Sequence, residues 1–411
     1  MSQNLAGEND QSAGSLPAGF GFNLIASITG NVGLSVSARN LVKSMQMHGV
    51  PFVVADIGHQ WGGKVSGAEL NVAVIKFADE LRYPINLYVL PLAIYENLFK
   101  SSPWLLAPRR LHVPAIWWEA SALPPPWIEN LSRFDAVMAG SSFIANLAAN
   151  GLMFTPVIEM KQPVLMPDNI SADRAKFGLP QEATVFSASF DPNSDPMRKN
   201  PIGLIQAFQM AFPLGTNGVR LAIRINNAAT EFGRITLEAM HMAAAGDARI
   251  SFLLDPMRYE DVLSLYASSD AYVSLHRGEG LGLGLMESMA LGKPVIATAW
   301  SGNMSFMDNS CGCLVRYRLV PVNGNWNFFK PDFIGPNAFW AEPMIDDAAH
   351  WMRKLHADPH LRRRLGAAAR MRIQTYQVQA WSRQWIDELV GLWQAQSFLP
   401  RAPGKFSAMA G

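Results

Sequence analysis

Short apolar segments recur along the chain, separated by longer stretches whose apolar residues repeat at helical spacing. The short segments are apolar throughout, which is typical of parallel strands covered by helices on both faces. In the first half of the chain, strands are predicted to begin at Phe22, Phe52, Ile85, Pro114, Ala136 and Pro156. In the second half, they are predicted to begin at Ala183, Val219, Arg249, Ala271 and Pro294.

The two sets of strands are separated by a polar segment around residues 163–182 that contains prolines, which indicates a linker. A chain of 411 residues is also too long for one compact core, since single cores stop growing at about 250–300 residues. Apolar residues return at helical spacing from Asp358 to Trp393. The predicted divisions are a flexible tail at 1–19, Rossmann-like domains at 20–165 and 166–375, a helix at 376–395 that packs on the first domain, and a flexible tail at 396–411.

The charge balance is even, because 34 basic residues offset 33 acidic ones and leave a net charge of +1. Such a chain has no overall attraction to nucleic acid, so any bound anion must be held by a local site. No apolar run approaches the ~18 residues of a membrane span, and the chain starts without a signal-peptide pattern. A cytoplasmic protein is therefore expected, with Cys311 and Cys313 as reduced thiols.

The most informative segment is LHRGEGLGLGLMESMALGKPVIATAWSGN, at residues 275–303. It predicts a strand that ends at His276, then a glycine-rich loop, then a short helix. The glycines allow a ligand to approach the backbone closely, and the helix N-terminus favours phosphate. The carboxylates of Glu279 and Glu287 would repel a phosphate, but they are good acceptors for paired sugar hydroxyls. We therefore expect Glu279 to bind a hexose and Glu287 a ribose.

Glu279 and Glu287 are separated by seven residues and followed by MALGKPVIATAWSGN, a pattern that resembles the donor-site motif of retaining GT-B glycosyltransferases of family 4. The segment FDPNSDPMRKNPIGLIQAFQMAF, from Phe190, resembles the phosphate-binding segment of that family. The segment WWEASALPPPWIENLSRFDAVMAGSSF, from Trp117, resembles the acceptor domain of its bacterial polysaccharide and lipopolysaccharide members. The resemblance covers nearly the whole chain. It implies an α/β fold of GT-B type, with two Rossmann-like domains facing across a cleft and a C-terminal helix that crosses back to the first domain.

The resemblance also implies a set of functional residues. The catalytic candidates are Glu279, Lys199, Arg198 and Glu119. The donor-binding candidates are Gly33, His276, Gly280, Leu281, Gly282, Leu283 and Glu287. In the family, basic side chains rather than a metal ion hold the leaving diphosphate, so neither a metal nor a cofactor is expected. A buried structural histidine is an alternative role for His276, and a tight structural turn is an alternative for Gly33.

The acceptor side departs from the family pattern, because Trp117, Trp118 and Glu119 stand where many members carry a histidine. Glu119 can orient the acceptor hydroxyl and the tryptophans can stack on a sugar ring, or all three can pack inside the protein. Two other patterns are weaker. GHQWGGKV, from Gly58, resembles a P-loop but has a valine where Ser or Thr must bind magnesium. The basic run at 362–364 is either a solvated helix face or a contact for anionic lipid.

The expected function is transfer of a hexose, with retention of configuration, from a nucleotide diphosphate sugar to a glycan or polyprenyl-linked saccharide in polysaccharide biosynthesis. GDP-mannose is slightly preferred as donor, because SLHRGEG and SGN resemble segments of bacterial mannosyltransferases and related hexosyltransferases, and UDP-sugars stay open. Peripheral contact with the inner face of the membrane suits a lipid-linked acceptor, and no nucleic-acid partner is expected.

Two alternative functions stay open: a nucleotide-sugar epimerase of GT-B type, and an inactive binding subunit. An NAD-dependent oxidoreductase is disfavoured, because the first glycine loop, TGNVGLSVSARN, lacks the full G-x-G-x-x-G pattern.

Overall fold

The computed structural model describes residues 15–30, 33–57, 74–75, 80–106 and 110–397, and these form two compact units. The first unit contains the described residues up to Trp118, the segment Pro125–Pro163 and the described residues from Val378 onward. The second unit contains Glu119–Pro124 and Val164–Gln377. The P-loop-like segment from Gly58 and most of both predicted tails lie outside the described residues.

A parallel six-stranded sheet forms the centre of the first unit. Its strands are β1 (Phe22–Ala26), β2 (Phe52–Asp56), β3 (Ile85–Val89), β4 (Leu111–Ile116), β5 (Val137–Ala139) and β6 (Val157–Glu159). The helices in this part of the chain are α1 (Gly33–Met47), α2 (Tyr95–Ser101), α3 (Pro125–Leu131) and α4 (Ser142–Gly151). The strand order is β2-β1-β3-β4-β5-β6, and β1 and β3 are buried at every position. Burial on both faces explains why these strands do not alternate between apolar and polar residues.

The second unit is built around another parallel six-stranded sheet. Its strands are β7 (Thr184–Phe190), β8 (Val219–Ile225), β9 (Ile250–Leu253), β10 (Ala271–Ser274), β11 (Val295–Thr298) and β12 (Cys313–Val315). Its helices are α5 (Pro196–Lys199), α6 (Pro201–Ala211), α7 (Glu231–Ala244), α8 (Tyr259–Ser268), α9 (Leu283–Ala290), α10 (Pro331–Ile334), α11 (Ile345–Ala357) and α12 (Pro359–Ala380). The core beneath them is continuous and includes Phe186, Phe208 and Leu221.

The strand order of the second sheet, β12-β11-β10-β7-β8-β9, reverses direction between β7 and β10. The chain moves from β7 to β8 and β9 on one side, and then crosses to β10 on the other. In sheets of this type, ligands bind outside the carboxyl ends of the strands at the reversal point. The loops that follow β7 and β10 are therefore the places to look for a site, and they contain the MRKNP and RGEGLGLG segments.

All eleven strands predicted from the sequence are confirmed, although β4 begins at Leu111, three residues before the predicted start. Three short strands escaped prediction. β12 has only three residues, and β13 (Tyr317–Pro321) and β14 (Phe339–Pro343) form a separate antiparallel pair. Four of the five residues of β13 are exposed, so this strand lacks the apolar run on which the prediction relied.

The predicted C-terminal helical stretch is two helices, because α12 ends at Ala380 and α13 (Gln384–Ser397) follows. The break coincides with a bond from outside the helix, since the carbonyl of Trp381 accepts a hydrogen bond from His48 Nε2 at 2.8 Å. α13 packs on the first sheet, with the Trp385 ring centroid 5.6 Å from that of Phe22. The predicted return of the last helix to the first domain is confirmed. No described helix is long and apolar enough to span a membrane.

Candidate functional site

The glycine-rich loop after β10 leads directly into α9, as predicted. Gly282 caps the start of this helix with φ = 99°, a backbone conformation that favours glycine. Because this cap residue is a glycine, the first turn of α9 has no side-chain cap. A second close approach lies beneath the loop, where a Cβ atom on Gly302 would clash with the carbonyl of Gly280. The loop therefore depends on two positions without side chains.

The residues of the SGN motif hold the loop from below. The Ser301 hydroxyl accepts a hydrogen bond from the Glu279 amide at 2.8 Å, and the Gly302 amide donates to the Glu279 carbonyl at 2.8 Å. Asn303 is fully buried, and its amide nitrogen donates to the Thr298 carbonyl at 3.0 Å. The backbone of Glu279 is thereby bonded on both sides, so the position of its carboxylate is set by the fold.

The basic pair lies on α5, a single helical turn in the loop after β7. Asp195 caps this turn, because its Oδ1 accepts hydrogen bonds from the amides of Met197 and Arg198 at 2.9 and 3.3 Å. Its Oδ2 accepts two more, from the amides of Asn325 and Trp326 at 2.7 and 2.9 Å. One buried carboxylate therefore joins the turn that carries the basic pair to the loop between β13 and β14.

The four predicted catalytic residues form one charged cluster. Lys199 Nζ lies 2.5 Å from Glu279 Oε1, and an Arg198 guanidinium nitrogen lies 3.6 Å from Glu279 Oε2. Arg198 also lies 3.8 Å from Glu119 Oε1. The residues come from three separate segments of the chain, yet all belong to the second unit. Two cations and two carboxylates therefore meet beside the glycine-rich loop.

The charges in this cluster control one another's ionisation. Burial opposes the charge on Glu279, but the nearby cations Lys199 and Arg198 outweigh it and lower the pKa of this carboxyl to about 2. Burial also lowers the pKa of Lys199, although Glu279 acts in the opposite direction. Glu279 is therefore a carboxylate at neutral pH, with Lys199 as its direct partner.

Arg198 is held as a fixed charge by the protein backbone. Its side chain is buried, and it donates to the carbonyls of Ser194 at 2.8 Å and of Gly278 at 2.7 Å. Lys199 has more freedom, because its side chain is 18% exposed and donates to the Glu279 side chain rather than to the backbone. Of the two cations, Lys199 is the one able to turn toward a bound anion.

Glu287 lies on α9 in a different environment from Glu279. Its side chain is buried and accepts a hydrogen bond from the Tyr259 hydroxyl at 2.9 Å. Burial raises the pKa of this carboxyl to about 7, although Tyr259 and Arg224 both favour the ionised form. Glu279 is therefore ionised at neutral pH, whereas Glu287 titrates close to pH 7; among the described residues, Glu279 is the one of the two in an ion pair.

His276 is fully buried and bonded to the protein through both ring nitrogens. Nδ1 lies 3.0 Å from the Ser274 hydroxyl, and Nε2 lies 3.2 Å from Asn303 Oδ1 and 3.3 Å from the Trp300 carbonyl. Since the Nε2 partners are acceptors, Nε2 carries the proton in the neutral ring. Burial lowers the pKa of this histidine, so the ring is neutral at pH 7. These contacts match the structural role that was its alternative.

The other predicted positions are more dispersed. Gly280 and the buried Leu281 lie in the loop before Gly282, whereas Leu283 is the first residue of α9. Gly33 is the exposed first residue of α1 in the first unit, and its contact with a donor stays a prediction.

The tryptophans of the WWE segment pack inside the first unit. The buried Trp118 ring contacts Trp127 edge-on, with centroids 4.8 Å apart, and the Trp117 ring lies against Gly140.

The three arginines of the basic run on α12 have different environments. Arg362 turns back and donates to the carbonyls of Leu355 and His356 at the end of α11, which is a capping role. Arg363 and Arg364 are exposed to solvent. Within the described ranges, no group of three or more His, Cys, Asp or Glu side chains is arranged to hold a metal ion.

Sequence reasoning missed Tyr259 and Asp195. Neither belongs to a recognisable motif, and each contacts its partners across a gap in the sequence: 28 residues from Tyr259 to Glu287, and about 130 from Asp195 to Asn325. The only signal was local for Asp195, since an Asp before a proline is a common cap at the start of a helical turn.

Comparison with known proteins supports the class of enzyme that this site suggests. Residues 232–321 match the family model for group 1 glycosyltransferases. No curated protein matches the chain in sequence. A glycosyltransferase from Rickettsia africae has a similar structure, with a TM-score of 0.65 and 13% identity over 93% of this chain and 100% of the other.

Two further solved structures share the fold. HepE from Anabaena, in complex with UDP and glucose, has a TM-score of 0.60 and 14% identity over 90% of this chain and 100% of the other. A variant of TarM from S. aureus has a TM-score of 0.51 and 14% identity over 75% of this chain, which spans only 55% of TarM. At such identities the likeness shows the fold, which is GT-B. With the family-model match over residues 232–321, it supports a glycosyltransferase.

Proposed function

We propose that the protein is a retaining glycosyltransferase of family 4 that transfers a hexose from a nucleotide diphosphate sugar to a glycan or lipid-linked oligosaccharide. The observation that carries this proposal is the contact between Lys199 and Glu279 at 2.5 Å, beside the glycine-rich loop. A cation suited to a diphosphate and a carboxylate suited to sugar hydroxyls thus adjoin at the reversal point of the second sheet.

Each part of the donor is assigned to the residues whose chemistry suits it. The diphosphate lies against Lys199, the fixed charge of Arg198 and the N-terminal end of α9, whose dipole favours negative charge. The hexose hydroxyls donate to Glu279, which is ionised at neutral pH. The ribose hydroxyls donate to Glu287, which lies on α9. Each carboxylate therefore serves a neutral polyol, and the cations serve the phosphates.

Catalysis comes from stabilising the charge that appears on the leaving group. As the bond between the anomeric carbon and the diphosphate oxygen breaks, negative charge grows on the diphosphate and is met by Lys199 and Arg198. The anomeric carbon passes through an oxocarbenium-like state, and the departing phosphate takes the proton of the acceptor hydroxyl as the new glycosidic bond forms. Glu119, 3.8 Å from Arg198, is the candidate to orient that hydroxyl.

The nucleotide base stays a choice between two donors. The sequence slightly favours GDP-mannose, whereas HepE was solved with UDP-glucose, and a trehalose-phosphate synthase of the same fold is described as UDP-forming. Both bases therefore belong in the first test.

The proposal is tested by calorimetric binding and by hexose-transfer assays with GDP-mannose, UDP-glucose, UDP-galactose and the free diphosphates, all with EDTA present. One nucleoside diphosphate is expected to bind without metal, and Lys199→Ala should weaken its binding at least about tenfold, since charged hydrogen bonds contribute about 1.5–3 kcal/mol. Lys176→Ala is the matched control, because Lys176 is 44% exposed and pairs with Asp261 elsewhere in the unit. Folded protein that binds none of these nucleotides would contradict the proposal.

A further inference from the structure

The Tyr259 hydroxyl lies between two acceptors from distant parts of the second unit. It is 2.9 Å from Glu287 Oε1 on α9 and 3.2 Å from the carbonyl oxygen of Leu165. We infer that Tyr259 is a positioning residue of the donor site, which holds the Glu287 carboxylate in the orientation that accepts ribose hydroxyls. This inference rests on the proposed function, because it assigns the ribose to Glu287.

The acceptor at Leu165 is itself fixed by its neighbour in the chain. Val164 donates its amide to the Gln377 side-chain oxygen at 3.0 Å, and its carbonyl accepts from the Gln377 side-chain nitrogen at 2.6 Å. Both backbone groups of Val164 are therefore bonded to one side chain on α12. The carbonyl of Leu165 follows one residue later, so the Tyr259 hydroxyl is directed by a backbone group that has little freedom to move.

The protonation state of Glu287 determines which acceptor receives the proton of the Tyr259 hydroxyl. A hydroxyl has one proton, and a backbone carbonyl can only accept. When Glu287 is protonated, it donates to the Tyr259 oxygen and the hydroxyl proton goes to Leu165. When Glu287 is ionised, the hydroxyl donates to the carboxylate instead. The ionised form is the stronger acceptor for the two ribose hydroxyls, so the state that binds ribose best is the one Tyr259 stabilises.

The surroundings make this single hydrogen bond important. Burial raises the pKa of Glu287 to about 7, and the contributions that favour its ionised form are the Tyr259 bond and the charge of Arg224. The buried hydroxyls of Tyr266 and Tyr272 also interact electrostatically with Glu287. They carry no charge at neutral pH, because burial raises their pKa. Loss of the Tyr259 hydroxyl is therefore expected to move the pKa of Glu287 upward.

The test compares a nucleoside diphosphate with its 2′,3′-dideoxy analogue, for both GDP and UDP, by calorimetry between pH 6 and 9. In Tyr259→Phe, affinity for the ribose ligand should fall about tenfold at pH 7, as expected for one lost hydrogen bond to a charged group. The dideoxy ligand should bind both proteins equally. The pH at which ribose-dependent affinity is half-maximal should also rise. Tyr376→Phe is the control, because Tyr376 is buried against Phe306 in the same unit.

Equal losses for the ribose and dideoxy ligands would overturn the inference, since Tyr259 would then act only on folding. If the wild-type protein binds neither nucleotide, the proposed function fails, and Tyr259 is tested without ligand. A carbon-13 NMR titration of labelled glutamate, assigned with Glu287→Gln, then follows the carboxyl directly. A higher pKa of Glu287 in Tyr259→Phe supports the positioning role, and an unchanged pKa overturns it.

Discussion

Glu287 should make the second unit less stable as pH rises through neutrality, and Glu287→Gln should remove that dependence. The carboxyl is buried, with a pKa raised to about 7 from the ordinary value of 4.5. In the unfolded chain this group ionises freely above pH 4.5, whereas in the folded protein it stays protonated until about pH 7. Its contribution to stability is therefore complete below pH 4.5 and is lost as pH rises through about 7.

The size of the effect follows from the distance between the two pKa values. Each pKa unit corresponds to about 1.4 kcal/mol, so the full difference between about 7 and 4.5 amounts to about 3–4 kcal/mol. The buried site allows little screening by solvent. Glutamine has nearly the same shape and keeps the hydrogen bond to Tyr259, but it carries no charge. At pH 8.5, Glu287→Gln should therefore be more stable than the wild type, relative to the same comparison at pH 5, by about 2–3 kcal/mol, because part of the full effect already develops below pH 5.

The assay is urea unfolding at pH 5 and pH 8.5. Unfolding is monitored by hydrogen exchange of the peptide that contains α9, residues 283–290. This readout reports the unit that holds Glu287. Groups that titrate in both proteins cancel in the difference between wild type and variant. Glu238→Gln, at an exposed position on α7, is the matched control and should show no such pH dependence. A Glu287→Gln effect that is the same at both pH values would refute the reasoning.

Two further predictions concern packing. Gly302→Ala should weaken nucleoside diphosphate binding in calorimetry, because its Cβ would displace the Gly280 carbonyl, whereas Gly391→Ala in α13, where nothing lies within 4 Å, should leave binding unchanged; equal binding by both variants would contradict the role of this contact. Leu389→Ala should lower the free energy of unfolding of the first unit by about 2–5 kcal/mol, measured by urea titration, since Leu389 is fully buried in its core; a loss below about 1 kcal/mol would show that α13 does not stabilise this sheet.

The family pattern predicts a single candidate site because its signal is local in the sequence. Glu279, the loop glycines and Glu287 lie within nine consecutive residues. Arg198 and Lys199 are adjacent and lie in the loop after one predicted strand. Parallel strands of apolar residues were equally clear, because burial on both faces leaves an uninterrupted apolar run. These two signals predicted the sheets and gave the candidate residues around the glycine-rich loop.

The roles within the site depended on contacts between distant segments. The sequence left His276 open between a ligand contact and a buried structural residue, and in the structure its ring nitrogens bond to Ser274 and Asn303. The sequence left the tryptophans of the WWE segment open between stacking on a sugar and packing inside the protein, and the structure shows Trp118 packed against Trp127. A sequence pattern records residue type and spacing, and it does not record which partner completes each hydrogen bond.

The sequence by itself determined the two parallel sheets, the return of the last helix and the glycine-rich segment that carries both acids. Only the tertiary structure decided the charge state of each acid. Glu279 meets Lys199 and is ionised, whereas Glu287 meets Tyr259 in a buried site and titrates near neutral pH. The reason is physical: pKa depends on burial and on charges within a few ångströms, and folding alone brings those groups together.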